Sequence, residues 1–126
     1  MAAPSIISLI ASRSVLTRQY RVVGHSMGDA MQHGCVIRVI RVGRLLRRLY
    51  PFQVGDIVTF IPNERAREAA GVQHRTGTLV FVKRITRVEK GCFFVEGDAR
   101  HLSCDSNDFG AIGRGSVVGV LPVVLQ

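Results

Sequence analysis

The sequence predicts a mostly β fold: a single antiparallel, barrel-like β domain preceded by a short N-terminal helix. Three observations carry this. After the first 18 residues almost every apolar run is short and rich in valine and isoleucine, the residues that suit a pleated, half-buried surface. Glycine, proline and asparagine interrupt those runs at short intervals. The chain has 126 residues, 47% of them hydrophobic, which is enough for one core and too little for two.

Taken in order, a helix is expected over about residues 4–18, and Gln19–Val23 then leads as a strand into a turn at Ser26. Met27–Met31 fits a short helical turn. Cys35–Val42 alternates as a strand, and Gly43–Phe52 reads as a basic connector closed by Pro51. Gly55-Asp56 opens a strand over Ile57–Ile61, which Pro62-Asn63 ends. Glu64–Ala70 offers one or two helical turns with Gly71 as their stop. Thr78–Val88 is a long strand, and the Lys90-Gly91 turn should fold Cys92–Glu96 back on it as a hairpin. Residues 97–115 are loop-rich, and Val117–Leu125 is the last strand. Two segments result: residues 1–19 as a targeting or membrane-associating piece, and 20–126 as the β domain.

The charge is lopsided, with 17 Lys and Arg against 9 Asp and Glu and a net of +8. Such a surplus suits an anionic surface. Nucleic acid is disfavoured as the partner, because tryptophan is absent, only two tyrosines occur, and no aromatic residues interleave the basic ones to stack on bases. The cluster Arg38, Arg41, Arg44, Arg47 and Arg48 favours an anionic membrane face or stays solvated. Cys35, Cys92 and Cys104 are widely spaced, without the pairing a zinc site needs, and read as free thiols. No metal or cofactor is expected. Residues 1–23 carry Arg13, Arg18 and Arg21 and no acid behind an apolar Ile6–Ile10 run, the composition of an organellar targeting segment or an amphipathic surface helix. The run breaks at Arg13, short of the roughly 20 residues that span a bilayer.

Two residues carry candidate chemistry. Ser26 sits in Gly24-His25-Ser26-Met27, and Lys83 follows the apolar Leu79-Val80-Phe81-Val82. A serine hydroxyl needs a base beside it, and a lysine serves only when desolvation holds it neutral. The plainer reading is that Ser26 is a turn residue and that Lys83 pairs with Glu96 or Asp98. His25 adjoins the serine, but neighbouring side chains on a turning chain point apart.

An ordered set of motifs shifts the balance. Val23–Met27, the strand Val36–Val42, Gly55–Phe60, Val82–Ile85, and Glu96-Gly97-Asp98 through Ser103-x-Asp105-Ser106 to Phe109-Gly110 resemble, in that order, the type I signal peptidases. Among these Ser-Lys membrane-associated proteases, the short mitochondrial inner-membrane type is the most similar. Val118-Gly119-Val120 resembles the family's closing strand, so the likeness covers about residues 20–122.

The resemblance implies a β domain of the signal-peptidase type and a serine endopeptidase that removes N-terminal presequences or sorting peptides. Ser26 would be the nucleophile and Lys83 the general base. Ser103 would aim the lysine, Asp105 would brace its loop, and Arg84 would pair with Asp105 or Asp98. Gly24 stands where bacterial members place a serine that helps hold the oxyanion. The implied partners are precursor presequences, a membrane surface and a second protease subunit. The implied location is the mitochondrial inner membrane, facing the intermembrane space. His101 matters only by comparison with family members that use histidine in place of lysine.

The chain departs from the family at Gly28-Asp29-Ala30-Met31, where a Pro-Thr-Leu sequence is usual after the Ser-Met. It departs again at Ala99, and at Asn107, where an arginine is usual. Two alternatives therefore stand beside the protease: a non-catalytic or weakly active partner subunit of a heteromeric signal-peptidase complex, and a repressor-type self-cleaving regulatory domain.

Overall fold

Runs of Val, Ile and Phe broken by Gly and Pro build β1 (Thr17–Arg21), β2 (Val36–Arg41), β3 (Ile57–Phe60), β4 (Phe81–Glu89), β5 (Cys92–Glu96), β6 (Ile112–Gly113) and β7 (Val117–Leu121). In the computed structural model, which describes residues 16–22, 26–69, 80–99 and 105–126, these strands form one sheet ordered β1-β2-β7-β3-β4-β5-β6. Every pairing is antiparallel, and the sheet curls into a half-barrel. Three short helices join it: α1 (Arg44–Leu49), α2 (Glu64–Ala69) and α3 (Ser106–Phe109). The mostly β, antiparallel expectation is met.

β3 lies at the centre, and all four of its residues are buried. The larger apolar cluster gathers Val58, Phe60, Ile85, Phe93, Val95, Phe109, Val117 and Val120 on one face. A smaller cluster of Val22, Met27, Met31 and Ile57 lies apart from it, with Val82 and Leu121 packed against it. Gly119 is where β7 crosses Thr59 and Val39. A Cβ there would lie 2.5 Å from Thr59 Oγ1 and 2.6 Å from Val39 Cγ2, so no larger residue fits. The Thr59 hydroxyl itself is buried with no hydrogen-bond partner.

The turns follow their residues. Lys90 (φ 45°) and Gly91 (φ 79°) join β4 to β5 with both central residues left-handed, as the expected two-residue hairpin requires. Asn63 caps α2, its side-chain oxygen accepting from the Ala66 N–H at 2.8 Å.

Four expectations need correction. The N-terminal helix expected over about residues 4–18 lies mostly outside the described residues. At its end, however, Thr17 and Arg18 belong to β1, paired with Ile40 and Val39. The connector Gly43–Phe52 contains a helix, α1. Arginine and leucine are good helix formers, and the C-terminal end of α1 is held by a residue far along the chain. Arg114 donates to the carbonyls of Arg47 (3.1 Å) and Tyr50 (2.8 Å). The 97–115 loop holds α3 and β6. The last strand stops at Leu121, because Pro122 has no N–H to give the ladder, and residues 123–125 form a tight helical turn.

Candidate active site

Ser26 follows β1 on the turn that Met27 anchors. Met27 is 1% exposed in the smaller cluster, which fixes the turn against the sheet. The Ser26 residue is half-buried. Its carbonyl accepts the Ala99 N–H at 2.8 Å, and Gly28 (φ 58°) turns the chain beside Ala99.

Lys83 lies in β4 opposite Val58 of central β3, and it is only 5% exposed. Strand alternation places it between Phe81 and Ile85, which pack with the larger cluster, while Val82 faces the smaller one.

Residues 97–99 tie the serine turn to this strand. Arg84, next to Lys83, grips Asp98 with two hydrogen bonds, Nε to Oδ1 and Nη2 to Oδ2, both 2.9 Å. The bond to Asp98, reinforced by its charge, raises the Arg84 pKa above its ordinary value against the opposing effect of partial burial. One residue further on, Ala99 holds Ser26. Through Arg84, Asp98 and Ala99 the backbone of the Ser26 turn is therefore connected to the strand that carries Lys83. Of the two acids expected for Arg84, the structure selects Asp98. That same acid was one of the partners expected for Lys83 under the plainer reading.

Asp105, 4% exposed, is the N-cap of α3. Its carboxylate accepts the Asn107 N–H at 2.9 Å, and its own N–H donates to Asp108 Oδ2 at 3.0 Å, a reciprocal capping box. The brace is thus a backbone one, and Asn107 takes part through its N–H where an arginine side chain was missed. Ser106 Oγ accepts the Val95 N–H at 2.8 Å, fixing α3 to β5. Gly24, His25, His101, Ser103 and Cys104 lie outside the described residues.

Sequence reasoning missed the role of Asp56. It is fully buried, and it accepts the N–H groups of Gln53 and Val123, both at 3.0 Å. It clamps the turn before β3 to the C-terminal residues. Arg84 joins the same knot, donating to the Gly55 carbonyl at 3.0 Å and to the Gln126 side chain. The only signal in the sequence was an acid following a turn glycine. Beside this knot an open cleft of about 390 Å³ is lined by Met31, Ile37, Ile57 and Leu121, with Arg38 and Arg84 on its polar side.

Cys35 and Cys92 are free thiols. Among the described residues no group of three or more His, Cys, Asp or Glu is placed to hold a metal ion, and no helix is long and apolar enough to cross a membrane. Compared with known proteins, the chain matches no family model, and no curated protein matches it in sequence.

Proposed function

We propose that the chain is a serine endopeptidase of the signal-peptidase type, removing N-terminal presequences or sorting peptides at a membrane. The observation that carries this reading is the burial of Lys83 on a strand whose next residue, through Asp98 and Ala99, is linked to the Ser26 turn. In the proposed reaction Ser26 Oγ attacks the scissile carbonyl while neutral Lys83 takes its proton. The C–N bond then breaks, and Lys83 returns the proton to the leaving amine. Water, deprotonated by the same lysine, releases the acyl group from Ser26.

The Ser26 N–H is the proposed oxyanion donor, with Gly24 offering no hydroxyl. Ser103 aims the lysine amine, Asp105 holds the base of that loop, and Arg84 positions residues 97–99. Among the described strands β1 is terminal in the sheet, and it precedes the Ser26 turn in the chain, which supports an extended substrate adding alongside it. No cofactor takes part. The proposed location is the mitochondrial inner membrane, on the intermembrane-space side.

The altered Gly28-Asp29-Ala30 turn favours a second reading, a non-catalytic subunit that binds a catalytic partner. Incubating the purified full chain with presequence peptides separates the two, with cut sites read by mass spectrometry. A single defined cut supports the peptidase. Intact peptides, with cleavage appearing only on addition of a partner protease, support the subunit.

A further inference from the structure

The structure assigns a lipid-docking surface to the end of the sheet where α1 sits, and the surface it fits is an anionic bilayer. This goes beyond peptide cleavage and does not depend on Ser26 or Lys83.

Three observations converge there. First, α1 has no buried residue, and its leucines are turned outward: Leu45 is 71% exposed, Leu49 70% and Leu46 39%. Leu45 and Leu49 are four apart and share one helix face. Bare leucines on a six-residue helix are explained neither by the core nor by solvation.

Second, the helix is held in this pose by its polar side. Arg47 Nε donates to the Val117 carbonyl at 2.9 Å, and Arg114 binds the carbonyls at the C-terminal end. The exposed leucines are thus presented from a fixed base.

Third, the exposed charged side chains on α1 and just before it are all basic. Arg41, Arg44 and Arg48 are all exposed, and no acidic residue occurs from position 30 to 55. Through residue 55 the chain carries eight arginines and one acid, Asp29, so nearly the whole net charge of +8 resides in this half.

The occupant follows from the pairing of exposed leucines with exposed arginines on and just before one helix. Leu16, 43% exposed, accepts the Arg41 N–H through its carbonyl at 2.8 Å, immediately before the two residues that lead into α1. Apolar side chains with arginines on the same short helix suit the boundary between headgroups and acyl chains, where leucines enter the apolar zone and guanidinium groups stay with phosphate. An acidic protein partner would answer the arginines but leave the leucines without a match.

The test is sedimentation of the purified full chain with phosphatidylcholine vesicles, with and without phosphatidylglycerol. Wild-type protein should bind the anionic vesicles and largely remain free of the neutral ones. Leu45→Gln/Leu49→Gln should weaken binding at least tenfold, the two leucines being about that much more favourable in an apolar phase. Arg44→Gln/Arg48→Gln should weaken it by roughly fivefold per charge removed and flatten its salt dependence. All four side chains are exposed, so folding should be unaffected, and circular dichroism checks that. Equal binding to neutral and anionic vesicles, or leucine variants that bind like wild type, would overturn the proposal. So would leucine variants that keep vesicle binding but lose a protein self-association seen in the wild type. Cleavage of soluble peptides is read separately, so loss of either property leaves the other measurable.

Discussion

Arg84 has more geometric consequence than any other described side chain near the site. It joins Asp98, the Gly55 carbonyl and Gln126, and so ties the β5 exit to the C-terminus. Arg84→Ala and Asp98→Ala should each destabilise the fold by about 1 kcal/mol, and the double variant should lose less than the sum, the mark of a coupled pair. Denaturant unfolding of the four proteins measures this. Both single variants should also slow peptide cleavage, because the Ala99 to Ser26 bond hangs from the same segment. Gly119→Ala tests packing alone. With Thr59 and Val39 closing over it, the substitution should cost about 1–3 kcal/mol in the same assay. Ser26, Lys83 and Asp105 could be singled out in the sequence as candidates because their motifs are local. It did not announce Asp56, whose partners Gln53 and Val123 include one across the fold, or the choice of Asp98 for Arg84, which depends on how β5 leaves the sheet.

Among the elements, the strands were legible where side-chain alternation and turn chemistry agreed. β2, β3 and the β4–β5 hairpin fall close to their expected bounds, and Lys90-Gly91 supplies the turn between the last two. α1 was not legible. A six-residue helix is marginal by its own propensity, and its stabilising contacts come from far along the chain, from the Val117 carbonyl and from Arg114, which also lies over the Phe52 ring at 5.1 Å. Arg114→Ala should therefore cost about 2 kcal/mol, since charge-assisted bonds to two carbonyls and the ring contact are lost together. Hydrogen exchange should show faster opening of the Arg47 and Tyr50 amides, which are bonded to Gly43 and Leu46. β4 amides should stay as protected as in the wild type. The start of β1 escaped the sequence reading for a different reason. Thr17 and Arg18 continue an apolar and basic stretch with helical composition, and only their pairing with β2 makes them strand.

For the molecule as a whole, antiparallel β architecture could be read from composition and punctuation, but the curl of the sheet and the separation of two apolar clusters could not. That separation matters because it sets Lys83 and Met27 in different packing environments while residues 97–99 bridge them. The molecule is also divided by charge. The half up to residue 55 is strongly basic and carries Ser26 and α1, while the rest is nearly balanced and carries Lys83 and Asp105. The peptidase reading requires both halves to act as one site. The most direct measurement is presequence-peptide cleavage by the purified wild type, Ser26→Ala and Lys83→Ala, each confirmed folded by circular dichroism. The account predicts a defined cut by the wild type and a loss of at least about a thousandfold in each variant, as when a covalent nucleophile or its base is removed. Cleavage that persists at the wild-type rate in either variant would contradict it.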